Sequence, residues 1–480
     1  MSAHALHALV YAPVFHVHVP ARQEGWVKTA IIRKLREKFK TRPKIPVGRY
    51  TYRGKDRFAG MALQLRVEPD GRGLLVINAN TVLYLNETAT VHSYFFMQGM
   101  DLDEAVDAVR RIYRVKKDVA RREHERIIYT ISTLAQTEEV CPFSFLDVEK
   151  TEPFTQELSA PIRMDLAITF RCQNRCVHCY TGGPRETREL STAEWRKVID
   201  RLSEIGIFIL TFTGGEPTLR EDLPDLLKYA QEKGMVTGLI TNGRRLKSSE
   251  YVKRLVDTGL DFVQITIESH NPRIHDLITS SKGSWKETVK AIENIVPTPI
   301  YLTTNTTLNR YNAQTFLKTV NFLHELGVEV FGCNSLIYSG KATAIAEEFA
   351  LTIDELKTLL PKIRDKAKEL GMKFVWYTPT RYCQLDPVSL ELGIKSCTAA
   401  KINMCIGPEG EVYPCQSYFK ALGNILEDKW ENIWNHPTSI YIRSRGYAPE
   451  NCRSCPRFSI CGGGCPLELE AKGYLCREVQ

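Results

Sequence analysis

The sequence predicts an α/β chain organised round a parallel barrel or doubly wound sheet, with a smaller strand-and-helix unit before it and a cysteine-rich segment after it. Three observations carry that expectation. Strand-like apolar runs alternate with helical segments between residues 165 and 376, the pattern of βα units that layer helices on parallel strands. Short strands bounded by turn residues, then three helical patterns, fill residues 61–134. Cysteines crowd into two places, one just after the first barrel run and one in the last hundred residues.

At 480 residues the chain has room for two to four domains with sizeable cores. Hydrophobic residues at 43% and charged residues at 25% fit an ordinary soluble globular protein. No run reaches the roughly 18 apolar residues of a membrane span, and residues 1–20 lack the basic start and apolar core of a signal peptide. A cytoplasmic location is the expectation, and there fourteen clustered cysteines read as metal ligands rather than disulfides. The net charge of +8 is concentrated: residues 28–44 hold eight Lys or Arg against Glu37 alone, which is +7 of the total. The near-neutral remainder argues against a phosphate-tracking surface and a nucleic-acid partner.

Taken in order, residues 1–45 form a basic extension. Its Ile32, Leu35 and Phe39 fall at helical spacing with Trp26 upstream, so residues 26–44 read as an amphipathic cationic helix, either docked on the protein or touching a membrane surface or partner. Residues 46–136 form a compact unit. Residues 61–67 alternate as a strand, 69–73 carry turn chemistry, 74–77 and 81–85 return as strands, and helices follow near 87–97, 102–113 and 119–134. A linker spans 137–163. The barrel region, 164–380, opens with the run at 164–169 and continues with strands at 208–213, 237–241, 262–267, 300–305 and 328–333. Residues 381–480 close the chain.

The chemistry sits at the strand ends, where parallel βα folds place it. After the first run comes Cys172-x3-Cys176-x2-Cys179, with His178 before the last thiol. Three thiolates hold only three irons of a cubane cluster, so the fourth is open to a ligand; zinc or three inert thiols are the rival readings. One βα unit on, Gly214-Gly215-Glu216-Pro217 pairs two glycines, which let backbone approach a ligand, with a carboxylate suited to an ammonium group. Thr241-Asn242-Gly243 and Thr266-Ile267-Glu268-Ser269 end the next strands, and Asn305 and residues 334–342 end the last two. Each could also serve only as a strand-end cap.

Triplet and GGEP together resemble the radical S-adenosylmethionine superfamily. The resemblance implies a partial (β/α)6 TIM barrel, a 4Fe-4S cluster on Cys172, Cys176 and Cys179, and S-adenosylmethionine held by Gly214, Gly215, Glu216, Pro217, Thr241, Asn242, Thr266, Glu268 and Asn305. Where the family more often has Ser-x-Asp, this chain has Thr266 and Glu268, similar in chemistry but larger.

The C-terminal cysteines resemble the SPASM domain: Cys397, Gly410-x4-Cys415, then Cys452-x2-Cys455-x5-Cys461-x3-Cys465, then Cys476. That resemblance implies two auxiliary clusters, one on Cys397, Cys415 and Cys465 with Cys383 as candidate fourth ligand, the other on Cys452, Cys455, Cys461 and Cys476. Three 4Fe-4S clusters are then expected in all. Cys405, in an alternating strand-like run, reads as a core thiol, as do Cys141 and Cys333. Trp430 and Trp434, at i and i+4, read as packing residues of a helix. The strands-then-helices order of residues 50–136, with Leu85-Asn86-Glu87-Thr88-Ala89 at the junction, resembles the winged-helix-like PqqD-type unit, the RiPP recognition element. The resemblance implies that a leader peptide adds there as a strand beside the sheet and against the third helix. Arg110, Arg111, Arg114, Lys116, Lys117, Arg121, Arg122 and Arg126 favour an acidic leader, unless they are only a solvated face.

The expected function is therefore a radical maturase that forms a 5′-deoxyadenosyl radical and oxidatively modifies a ribosomally made precursor peptide, with a ferredoxin or flavodoxin as electron donor. A cofactor-maturing enzyme such as a haem-precursor decarboxylase is the enzymatic alternative, and a non-catalytic iron-sulfur carrier or peptide chaperone the other. Glu268, Asp386 and His436 are the acid-base groups on offer.

Overall fold

The computed structural model describes residues 14–17, 44–79, 81–136, 149–150 and 157–473. Two compact units are present, Met1–Ser159 with Glu204–Gly206, and Ala160–Ser203 with Ile207–Gln480. The basic helix expected at 26–44 lies outside the described residues except for Lys44, and so do Cys141 and Cys476.

The first unit is built on one sheet whose strands are β1 (Val14–Val17), β2 (Gly48–Arg53), β3 (Ala62–Val67), β4 (Gly73–Ile77), β5 (Thr81–Leu85) and β6 (Glu149–Lys150). They lie in the order β2-β3-β4-β5-β1-β6. Strands β2 to β5 form an antiparallel meander. The turn between β3 and β4 closes through Gly71, whose φ of 83° is open to glycine at little cost, and Asp70, which accepts from Arg72 N–H at 3.1 Å. Beyond β5, β1 runs parallel to it with Val14 opposite Val82, and β6 runs antiparallel to β1. Strands β1, β2 and β6 are not among the elements expected from sequence. With four residues in β1 and two in β6, pairing supplies what local propensity does not.

Three helices follow, α1 (Glu87–Met97), α2 (Leu102–Tyr113) and α3 (Lys117–Gln136). Asn86 caps α1 by accepting from Ala89 N–H at 2.8 Å, and Asp101 with Glu104 forms a capping box on α2. Leu65, Leu75, Leu83, Val91, Val106 and Ile127 meet in the core, each worth about 1.5–3 kcal/mol of burial. Inside it His92 and His124 face each other, Nδ1 to Nδ1 at 3.1 Å. Of the basic residues on α2 and α3, Arg110, Lys117, Arg121, Arg122 and Arg126 are paired with Asp107, Asp103, Asp103, Asp118 and Glu123.

The second unit is built on a larger sheet. Its strands are β7 (Arg163–Thr169), β8 (Ile209–Gly214), β9 (Val236–Thr241), β10 (Phe262–Thr266), β11 (Tyr301–Thr307), β12 (Val330–Asn334), β13 (Lys373–Trp376), β14 (Asn403–Ile406) and β15 (Val412–Tyr413). They lie in the order β13-β12-β11-β10-β9-β8-β7-β14-β15. All neighbours from β13 to β14 are parallel. Helices α4 (Thr192–Ile205), α5 (Leu223–Glu232), α6 (Ser249–Asp257), α7 (Pro272–Thr279), α8 (Ser284–Ile295), α9 (Phe316–Glu325) and α10 (Ile353–Glu369) supply the crossovers. Strand β8 is buried along its whole length, as covered parallel strands are. The six expected strands are present. Strand β13 adds a seventh, and the sheet is a partial barrel because its order ends at β13 and β15 rather than closing.

The described part of the last hundred residues lies in the same compact unit as the barrel. Strand β14 pairs with β7, Cys405 opposite Asp165, so the C-terminal segment extends the barrel sheet within the same unit. Trp430 and Trp434 stack at 5.8 Å on the helix Trp430–Trp434, and Arg443 lies 4.1 Å over the Trp434 ring. Among the described residues no helix is long and apolar enough to cross a membrane.

Candidate functional site

Because β7 to β12 run parallel, their C-terminal ends gather at one edge, and the loops there bring the motifs together. The triplet loop leaves β7 and rests on the end of α7, with Arg175 N–H donating to Thr279 O and Val177 N–H to Ile278 O. Asn174 N–H lies 3.4 Å and Asn242 Nδ2 3.7 Å from Cys172 Sγ, while Thr181 Oγ1 is 3.1 Å from Cys179 Sγ. Burial pushes the Cys172 thiol up to about 12, helped by the Glu216 carboxylate and by Cys179. Burial, then Glu268, Cys172 and Cys179, raises Cys176 well above the usual thiol range. The three thiols are therefore neighbours, and burial holds Cys172 and Cys176 protonated without metal, so iron must displace their protons to bind.

The Gly-Gly-Glu turn lies against the same loop. Gly215 N–H donates to Thr169 O and Glu216 N–H to Arg171 O, both at 2.8 Å. A Cβ on Gly214 would stand 2.2 Å from Thr169 O, and one on Gly215 2.3 Å from Arg171 O, so both positions demand glycine. The Glu216 carboxylate is wholly buried and committed to the protein. It accepts from Thr218 N–H, Thr218 Oγ1 and Thr241 Oγ1 on Oε1, and from Asn242 N–H on Oε2. The carboxylate thus sits in a network with Thr218, Thr241 and Asn242, and Thr241 Oγ1 in turn accepts from Gly243 N–H at 3.0 Å. Pro217 starts the short 3-10 turn Pro217–Leu219 that carries Thr218.

Asn242 does face the triplet, with Oδ1 accepting from Gln173 Nε2 at 3.4 Å. Thr266 ends β10 in register with Asn305 on β11. Asn305 Nδ2 donates to Asn334 Oδ1 at 2.9 Å. Glu268 is fully buried: Oε2 accepts from Thr307 N–H at 3.2 Å, and Oε1 lies 3.4 Å from His178 Nε2. His178, from the triplet itself, stacks on Phe349 with ring centres 5.4 Å apart. Buried side-chain atoms with no hydrogen-bond partner gather here: Gln173 Oε1, His178 Nδ1, Glu268 Oε1, His275 Nε2 and Asn305 Oδ1. Such orphans cost about 1–3 kcal/mol each where no ligand or water meets them. Sequence reasoning misses Gln173 and His275, which carry no motif of their own and are recognised only by place.

The other acid-base candidates lie elsewhere. Asp386 accepts from Ser389 Oγ at 2.6 Å and pairs with Arg457, and His436 caps the helix Pro437–Arg443 by accepting from Thr438 N–H at 3.2 Å. Both are accounted for by local structure, so only Glu268 reaches the triplet.

The C-terminal thiols fall into two sets. Cys397 has Cys465 and Cys415 as charge neighbours, and burial raises all three thiols. Cys465 sits at the start of the helix Pro466–Ala471, where the amides of Glu468 and Leu467 point at its sulfur and hold it to about 11 against burial. The second set is Cys452 with Cys383, Cys461 and Cys455. Tyr382 N–H donates to Cys461 Sγ at 3.4 Å. Cys383 thus stands beside Cys452, whereas the expectation from sequence groups it with Cys397, Cys415 and Cys465. Cys405 and Cys333 are buried in strands β14 and β12. Among the described residues no three His, Cys, Asp or Glu side chains close round a single metal ion.

Residues 166–341 match the radical SAM superfamily, and residues 397–456 match the SPASM iron-sulfur cluster-binding domain. The chain is 28% identical over 337 residues to the PqqA peptide cyclase of Bradyrhizobium diazoefficiens, covering 68% of this chain and 86% of that one. It is 28% identical over 323 residues to the mycofactocin maturase MftC of Mycobacterium tuberculosis, covering 65% and 80%. In fold it is similar to Streptococcus suis SuiB bound to S-adenosylmethionine, with a TM-score of 0.65 at 18% identity over 85% of this chain and 95% of that one. SuiB bound to precursor peptide SuiA gives 0.64 at 15% identity over 88% and 96%. The strand-end thiol triplet locked to a Gly-Gly-Glu turn, the partial barrel and these matches agree: residues 166–341 carry a radical SAM domain and residues 397–456 a SPASM iron-sulfur cluster-binding domain.

Proposed function

We propose that this chain is a peptide maturase that uses a 5′-deoxyadenosyl radical to modify a ribosomally made precursor oxidatively. The observation that carries the reading is the triplet loop seated on Gly214-Gly215-Glu216 in a unit that also holds two further thiol sets. Cys172, Cys176 and Cys179 would hold the cluster that binds S-adenosylmethionine, which when bound supplies the radical. Glu216 would act from beneath, fixing the glycine turn and Asn242 at the triplet, while Gln173, Glu268 and Asn305 offer polar atoms to the ligand. Cys397, Cys415 and Cys465, and Cys452, Cys455, Cys461 and Cys476 with Cys383 nearby, would hold the auxiliary clusters.

Two relatives, the PqqA cyclase and MftC, are named for acting on peptides or as a maturase. A peptide substrate also suits the first unit, residues 46–136 in this reading. Strand β2 pairs only with β3 among the described residues, which leaves an edge for strand addition. The paired arginines of α2 and α3 make charge a secondary part of that recognition. A ferredoxin or flavodoxin in the cytoplasm would supply the electron.

The test compares iron, sulfide and 5′-deoxyadenosine in anaerobically reconstituted wild type and in the combined Cys172→Ala, Cys176→Ala, Cys179→Ala variant. About twelve irons falling to about eight, with deoxyadenosine lost, supports three clusters with radical formation at the triplet. Deoxyadenosine surviving the triple change refutes the reading.

A further inference from the structure

The loop after β12 reaches two of the thiol sets at once. Ser339 Oγ lies 3.1 Å from Tyr180 O and 2.8 Å from Ser417 O. Tyr180 follows Cys179 of the triplet, and Ser417 is two residues beyond Cys415, at whose sulfur its own N–H points. A single hydroxyl therefore stands between the backbone of the triplet loop and the backbone of the Cys415 loop.

Its neighbours fix it there. Gly340 has φ 58° and ψ −133°, and a Cβ on it would stand 2.5 Å from both Gly182 N and Tyr180 O and 2.6 Å from Cys179 O. Only glycine lets the backbone lie this close. Lys341 N–H then donates to Cys179 O at 3.0 Å. Gly340 and Lys341 clamp the triplet loop, and Ser339 carries the contact across to Ser417.

We propose that Ser339 is a positioning residue that sets the spacing between the triplet and the Cys397-Cys415-Cys465 set: its one O–H donates to the nearer acceptor, Ser417 O at 2.8 Å, while the Tyr180 carbonyl oxygen lies in contact at 3.1 Å. The path between the sets runs from Cys179 through the Tyr180 carbonyl, across that contact to the Ser339 oxygen, and by the hydrogen bond to the Ser417 peptide and Cys415. This inference rests on the reading of both thiol sets as cluster ligands. Its use follows from the electron balance. Cleaving S-adenosylmethionine takes one electron and, with a substrate C–H, gives methionine, 5′-deoxyadenosine and a substrate radical. Converting that radical to an oxidised product releases one proton and one electron. An electron accepted at the Cys415 side and returned to the triplet side closes the cycle with no outside oxidant.

The test uses the iron-loaded full-length enzyme and needs no peptide. Wild type, Ser339→Ala and Ser339→Thr are photoreduced by less than one electron per chain, and rapid-freeze EPR follows how the electron redistributes and how the reduced centres relax one another. Slower redistribution and weaker mutual relaxation in Ser339→Ala, at full iron content and restored by threonine, are expected. Unchanged redistribution in Ser339→Ala overturns the proposal. Should the alanine variant load poorly, alkylation of the metal-free protein decides: coupled exposure of Cys179 and Cys415 upholds the tie, and wild-type rates at both refute it. A wild type without iron at Cys397, Cys415 and Cys465 would instead refute the cluster reading on which the inference rests.

Discussion

Thr241 Oγ1 donates to Glu216 Oε1 at 2.7 Å, and that bond joins the end of β9 to the end of β8 directly beneath the triplet loop. Glu216 is thus a buried carboxylate with four protein donors. Changing Glu216 to Gln keeps the shape but turns one acceptor into a donor facing other donors. At about 1–3 kcal/mol for an unsatisfied buried group, urea unfolding should show a lower midpoint, and equilibrium dialysis weaker S-adenosylmethionine binding. A variant with the wild-type midpoint and affinity would mean that the carboxylate network carries no weight.

Alanine at Gly214 or Gly215 should be worse. Gly214 sits at φ 125°, and either Cβ would press on a backbone oxygen at 2.2 or 2.3 Å. The conformation alone costs about 1–3 kcal/mol at Gly214. The clash adds to it by pushing the turn off the triplet loop. Iron at the triplet should fall in both variants while the two C-terminal sets stay loaded, which Mössbauer counting can resolve; full triplet iron in both would refute the fit described for this turn.

Much of this site is legible in the order of residues along the chain. Periodicity locates all six expected barrel strands because parallel strands are continuous apolar runs, and the thiol triplet and the Gly-Gly-Glu turn stand at the ends of two of them. Partnership across space is what residue order does not carry. Thr241 reads from sequence as a ribose contact, and its bond to Glu216 shows only in the structure; His436 reads as an acid-base group, and its cap on the helix Pro437–Arg443 likewise shows only there. Strands β1 and β6 are too short to declare themselves. Cys383 reads from sequence as a ligand of the Cys397 set, and its place beside Cys452 shows only in the path of residues 380–383 past Cys461.

The His92–His124 pair makes the first unit acid-sensitive. Burial lowers His92 to about 3, with His124 and Arg126 adding to it, and lowers His124 to about 4. Both are neutral in the fold, whereas each titrates near 6.5 when unfolded. The unfolded chain then binds more protons below that pH, so stability is full above about 6.5 and falls as pH drops toward 4. Hydrogen exchange at α1 and α3 should quicken over that window in wild type and much less in His124→Phe. Equal pH slopes in the two proteins would remove the pair as the cause.

Cys383 provides the sharpest check on the C-terminal sites. It and Cys455 are exposed, whereas Cys461 is buried and Cys452 half-buried. In metal-free protein Cys383 and Cys455 should therefore alkylate first. If Cys383 serves the Cys452 set, loading with iron should protect it, and Cys383→Ala should disturb the EPR signal of that cluster while leaving the Cys397-Cys415-Cys465 signal intact. The first set would then have three cysteines and an iron open to another ligand, so its signal should shift when an exogenous thiol or cyanide is added to the loaded enzyme. Loss of the first set's signal in Cys383→Ala would restore the assignment that spacing alone favours, and continued alkylation of Cys383 in loaded protein would remove it from both.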